Sequence, residues 1–177
     1  MNSHQIHSCL IQDINTKDSF RGVFPRDLLF KHGKVLPNKN NSYVCNTACK
    51  ESPGEHWIAI YIDDEGKGEY FDSYGLYPND TFACFLQNNC HSWDRTIIPL
   101  QNPLTTVCGQ YCIFWLYSKG LGFTTPCIIE SLKNSYNSDT CVLEFVNRRF
   151  SGVTKRHELV DHQFVIQQIS RAMQFNV

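Results

Sequence analysis

His56-Trp57-Ile58-Ala59-Ile60-Tyr61-Ile62, Asp63-Asp64-Glu65-Gly66 and Glu69-Tyr70-Phe71-Asp72 together decide the fold class. The first run is β-branched and aromatic, as strands favour, and Pro53-Gly54 bounds it upstream. The acidic, glycine-ended turn leads into a second such run, so the two are expected to pair as a hairpin. Further strands are expected at Tyr43-Val44-Cys45 and Thr96-Ile97-Ile98-Pro99-Leu100, and the polar stretch from Pro37 to Ser42 reads as a loop.

Helical signals lie around this centre. Pro25 suits a first helical position, Arg26 to Phe30 would continue that helix and Gly33 would stop it. Pro78 would open a helix through Phe82 and Phe85 that frays at Asn88-Asn89. Gly109 to Lys119 reads as an apolar helix ended by Gly120 and Gly122. Two helices are expected after Thr124-Thr125-Pro126 and after Ser138-Asp139, and a last one from about Glu158 to Met173 with Leu159, Ile166, Ile169 and Met173 on one face. Central strands with helices dominating the C-terminal half make the class α+β.

Neither repeats nor a Pro/Ser linker divide the 177 residues, so one domain over 1–177 is expected. Aromatic content of 13% and hydrophobic content of 42% exclude disorder as the main state. No apolar stretch approaches the ~20 residues of a membrane-spanning helix. The opening residues, MNSHQIHSCLIQD, lack a basic segment followed by an apolar one, so an intracellular rather than secreted protein is expected. The net charge of −1 hides an uneven distribution: residues 21–40 carry five basic groups against one Asp, and residues 51–94 nine acids against Lys67. That pattern could steer a basic partner, or be a solvated face. No basic stripe interleaved with aromatics supports a nucleic-acid groove.

Nine cysteines, an odd number without a secretory signal, argue against a disulfide framework. Cys45/Cys49 and Cys108/Cys112 are each spaced four apart without a matching histidine pair, so no metal is expected. Most of the thiols should behave as small hydrophobes.

Cys108 is different because it stands where a loop becomes a helix. The positive end of the helix dipole favours thiolate there, and unpaired backbone N–H groups could hold an oxyanion. Gly109 would let a substrate carbonyl approach without a Cβ in the way. A buried helix-start cysteine would read the same way. A thiol nucleophile needs a base. Of the seven histidines, only His56 sits at a loop-to-strand junction with a carboxylate, Asp72, across a hairpin. Asp72 could fix the imidazole tautomer. Gln101, in the loop before Cys108, suits an oxyanion donor, with Asn102 the competing choice.

Gly54-Glu55-His56-Trp57, Tyr70-Phe71-Asp72-Ser73-Tyr74-Gly75 and Gln101 with Cys108-Gly109 together resemble the adenovirus-type maturation proteases, the adenain-like cysteine proteases. Val44-Cys45-Asn46-Thr47-Ala48 and the helix from Cys108 to Trp115 share that resemblance, which covers residues 18–120. It is closest in style to the adenain-like enzymes of polinton elements, adintoviruses and virophages, and more distant from the SUMO-specific proteases of the same clan.

The resemblance implies a central mixed β-sheet flanked by helices. It implies a thiol endopeptidase with Cys108 as nucleophile, His56 as base and acid, Asp72 as its orienter and Gln101 as oxyanion donor. Its substrates would be viral capsid or core precursors, cut after glycine during virion maturation in the host cell or the virion. Adenovirus members carry Glu where Asp72 stands, whereas the SUMO-protease branch resembles this chain in having Asp.

By the same resemblance Trp57 would narrow the cleft around small substrate residues; core packing is the equal alternative. Adenain is activated by DNA and by a viral peptide joined through a disulfide. Cys90 stands at the spacing of that linking cysteine, while the near-neutral charge speaks against DNA. No cofactor is required by the residues themselves, and a monomer is expected. The alternative function is deconjugation of ubiquitin or SUMO at Gly-Gly termini.

Overall fold

A computed structural model describes residues 1–150. Five strands lie side by side in chain order: β1 (Phe20–Pro25), β2 (Asn41–Asn46), β3 (Trp57–Ile62), β4 (Lys67–Phe71) and β5 (Ser92–Arg95). The three inner strands are antiparallel, and β1 and β5 run parallel to their neighbours, so the sheet is mixed. Six α-helices accompany it among the described residues: α1 (Ser3–Gln12), α2 (Leu29–His32), α3 (Asp80–Asn89), α4 (Cys108–Gly120), α5 (Thr125–Lys133) and α6 (Ser138–Phe150). The class is α+β, as expected.

Strand β3 reads as nearly continuous apolar sequence because both of its faces are buried. Ala59 and Tyr61, with Val44 and Phe71, pack against apolar residues of α1, α4, α5 and α6. Ile58, Ile60 and Ile62, with Tyr43 and Tyr70, pack against Phe82, Phe85 and Leu86 of α3. Helix α4 is buried from Gly109 to Ser118, which suits a central helix with no solvent face. Trp115 stacks on Phe71 with ring centres 5.0 Å apart, fixing α4 over the sheet. A buried ion pair of 2.6 Å between Asp13 and Arg149 ties the end of α1 to the end of α6.

Several elements depart from expectation. The strand expected over Thr96–Leu100 lies earlier, at β5. Thr96 N–H makes a last bond to the Tyr70 carbonyl. Its hydroxyl then takes over, accepting from Asp72 N–H and donating to Asp72 O, and Pro99 has no N–H to extend the ladder. Pro25 ends β1 instead of opening a helix, and the helix beyond it is a 3₁₀ turn over Arg26–Leu28 running into α2. Asn79, not Pro78, starts α3, its side chain accepting from Phe82 N–H. Helix α1 and strand β1 were not anticipated. The helix expected from Glu158 to Met173 lies outside the described residues. Among the described residues, no helix is long and apolar enough to cross a membrane.

A Cβ at Gly120 would collide with the Asn15 carbonyl oxygen. Gly120→Ala should therefore destabilise the protein by about 1–3 kcal/mol through overpacking. A melting temperature several degrees below wild type would report it; an unchanged one would contradict the close approach of α4 to the loop after α1.

Candidate active site

Three elements converge on one point. His56 immediately precedes β3, Asp72 immediately follows β4, and Cys108 is the first residue of α4. The β3–β4 register pairs Ala59 with Phe71. Continued past the strand ends, it sets His56 across from Tyr74 and diagonal to Asp72, within side-chain reach. His56 Nε2 donates to Asp72 Oδ1 at 3.0 Å, with the two side chains 13% and 3% exposed. An ionised carboxylate can only accept, so this bond sets the tautomer and leaves Nδ1 for a second partner. That partner is the Cys108 thiol, which hydrogen-bonds the ring.

The electrostatics follow from this contact. Burial alone would lower the His56 pKa, but the hydrogen bonds to Asp72 and Cys108 outweigh it and hold it at about 9. Burial alone would raise the Cys108 pKa. The His56 bond and the backbone N–H groups of Trp57 and Gly109 overcome that and bring it below the usual thiol value. Thiolate beside imidazolium is thus favoured, as a nucleophile requires. Cys112, one turn along α4, is fully buried and its pKa is driven far up, so it behaves as core.

Gln101 is buried, and its amide orientation is set by its partners. Its Oε1 accepts from Ser73 Oγ at 2.7 Å, while Nε2 donates to Thr105 O at 2.8 Å and to the Tyr74 hydroxyl at 3.1 Å. Asn102 is exposed and spends its side-chain oxygen on Leu104 N–H in its own loop.

Gly109 differs from expectation. It is buried, and the space beside it is occupied by Ile6 and Met1 of the N-terminal segment and by Trp57 rather than left open for a substrate carbonyl. The Trp57 indole donates to the Met1 carbonyl at 3.1 Å and packs on the main core. Cys90 is half-buried against Gly68. Burial, with Asp63, pushes its thiol up to about 11. All nine cysteines are free, and among the described residues no His, Cys, Asp or Glu cluster could hold a metal ion.

Two contributors escaped the sequence reading. The Tyr74 ring stacks on the His56 imidazole at 4.8 Å, and its N–H donates to Asp72 Oδ1 at 2.7 Å. Asp139, in the first turn of α6, holds the loop carrying Gln101: Thr105 Oγ1 and Tyr111 OH each donate to it at 2.8 Å, with Asn102 N–H more distant. The β3–β4 register points to Tyr74, whereas nothing local marks Asp139.

No family model matches the chain. It is similar in sequence to the protease of Human adenovirus B serotype 3, 24% identical over 133 residues, which are 66% of this chain and 61% of that protein. It is also similar to a cysteine protease of African swine fever virus, 26% identical over 107 residues, 52% of this chain and 39% of that one. Of solved structures, the African swine fever virus protease superposes with a TM-score of 0.60 at 19% identity, covering 82% of this chain and 65% of that one. The chain shares the fold of that viral protease. The central domain of an uncharacterized Legionella pneumophila protein is also similar, with a TM-score of 0.51 at 18% identity over 84% of this chain and 95% of that one. The chain spans about 40–60% of the length of these two viral relatives.

Alkylation of Cys108 by iodoacetamide, followed peptide by peptide, should remain fast well below the usual thiol pKa near 9. His56→Ala should move the acidic limb of that profile upward; an unmoved limb would contradict the ion pair. His56 titrates above its ordinary 6.5, so the stability it contributes is fully present below that pH and is lost as pH rises through about 9. Asp139→Ala should speed amide exchange over residues 101–106 and slow that alkylation; unchanged exchange would remove Asp139 from loop positioning.

Proposed function

We propose that the chain is a cysteine endopeptidase that cuts viral capsid or core precursors after glycine during virion maturation, in the host cell or the virion. The observation that carries the chemistry is the hydrogen-bonded line Asp72–His56–Cys108 at the start of α4. The substrate assignment draws support from the likeness to the adenovirus protease.

In this reading the Cys108 thiolate attacks the scissile carbonyl, forming a carbon–sulfur bond and an oxyanion. The oxyanion accepts from backbone N–H at the start of α4 and from Gln101 Nε2. His56 gives its proton to the leaving amine as the C–N bond breaks. It then takes a proton from water, and the resulting hydroxide displaces the thiolate and releases the acid. Asp72 keeps the imidazole oriented.

The test is turnover of Gly-Gly and Gly-x-Gly peptides, precursor fragments and ubiquitin or SUMO fusions by wild type and by Cys108→Ala. Cleavage after glycine that the variant abolishes supports the reading, and Asp72→Asn should lower kcat severely but less completely. Undiminished cleavage by Cys108→Ala would overturn the nucleophile. Turnover of the ubiquitin-like fusions alone would move the enzyme to deconjugation. Repeating the assay with DNA, and with a cysteine-containing peptide against wild type and Cys90→Ser, reads whether either activator acts.

A further inference from the structure

Tyr74 touches every side chain assigned a chemical role except the nucleophile. Its ring lies on His56 with centres 4.8 Å apart and planes at 26°, close to parallel stacking. Its amide N–H and His56 Nε2 share one carboxylate oxygen of Asp72, at 2.7 and 3.0 Å. Its hydroxyl accepts from Gln101 Nε2 at 3.1 Å and has the Thr105 carbonyl 3.5 Å away. The residue is half-buried.

Each contact has a physical consequence. An imidazole held by hydrogen bonds at its edge can still tilt about the line between them, and a ring stacked on its face resists that tilt. The Gln101 amide has two hydrogens: one goes to the Thr105 carbonyl, the other to the Tyr74 hydroxyl. A carbonyl acceptor is fully committed by geometry, whereas a half-buried hydroxyl can turn to water. The second hydrogen is therefore the one that can be given to an incoming oxyanion.

We propose that Tyr74 is a positioning residue joining the two halves of the site: its ring holds the His56 plane, and its hydroxyl keeps Gln101 Nε2 aimed until the oxyanion takes that hydrogen over. The proposal rests on the protease reading for its last step only. The resting contacts exist with or without turnover, and the handover involves no proton transfer, since the amide keeps both hydrogens and only changes acceptor.

Tyr74→Phe keeps the ring and removes the hydroxyl; Tyr74→Ala removes both. The Gln101 side-chain amide signal, assigned in the NMR spectrum by its absence in Gln101→Ala, should be protected from solvent exchange in wild type and lose protection in Tyr74→Phe. The same variant should leave the pH profile of Cys108 alkylation unmoved, while Tyr74→Ala should raise its acidic limb. On a cleaved peptide, Tyr74→Phe should lower kcat about fivefold, the kinetic equivalent of one neutral hydrogen bond, with KM unchanged. It should have no further effect in a Gln101→Ala background.

Unaltered Gln101 protection in a folded Tyr74→Phe protein overturns the hydroxyl's role, and an alkylation profile unmoved by Tyr74→Ala overturns the ring's. Additive kinetic losses with Gln101→Ala overturn the handover. If no peptide is cleaved even by wild type, the protease reading fails, and the exchange and alkylation measurements still decide the resting roles of Tyr74.

Discussion

The 3.0 Å hydrogen bond between His56 Nε2 and Asp72 Oδ1 joins two residues that lie outside any strand, and it exists because the strands beside them are paired in one register. Ala59 opposite Phe71 puts both side chains on the face that α4 covers. A slip of one residue would turn every apolar side chain of β4 to the wrong core and separate the histidine from its carboxylate together. The penalty that protects the core also protects the chemistry. Burial on both faces of β3 is therefore what fixes His56 against Asp72.

Charge at the site has to be balanced locally, since His56 and Asp72 are almost wholly removed from water. A buried ionised group is costly unless each of its lone pairs or protons finds a partner. Asp72 Oδ1 has His56 and the Tyr74 amide, and the Cys108 sulfur has the ring and two backbone amides. Helix α4 contributes rigidity as well as its dipole. It is buried along most of its length and stacked on Phe71 through Trp115, so the sulfur at its first residue is held by the core and not by a loop.

What the chain reveals before folding follows from how local each signal is. The β3–β4 hairpin, α4, α5 and α6 were legible because runs of apolar residues end at glycine, proline or capping side chains close in sequence. His56, Asp72 and Cys108 were legible because each stands at an element boundary. Helix α1 buries only Ile6 and Leu10, so its apolar period is faint; the Asn2/Gln5 capping box was the available signal. Strand β1 contains Gly22 and ends at Pro25, residues that mark a strand only at a sheet edge, and being an edge is a property of the whole sheet. The β-branched run after Arg95 misled for a related reason: a threonine hydroxyl replaced the ladder there.

The long-range partners had no local signal. Asp139 stands in the first turn of α6, where an acidic residue is ordinary because it offsets the helix dipole. Only the packing of α6 on α4 brings it to Thr105 and Tyr111. The loop from Leu100 to Thr105 is otherwise fastened through main chain, with Leu100 and Gln101 N–H both donating to Ser73 O. One edge of that loop is thus set by the strand that delivers Asp72 and the other by α6. Gln101 and Asp72 are consequently indexed to the same residues, Asp72 to Tyr74, and a displacement of β4 would carry both together instead of pulling them apart.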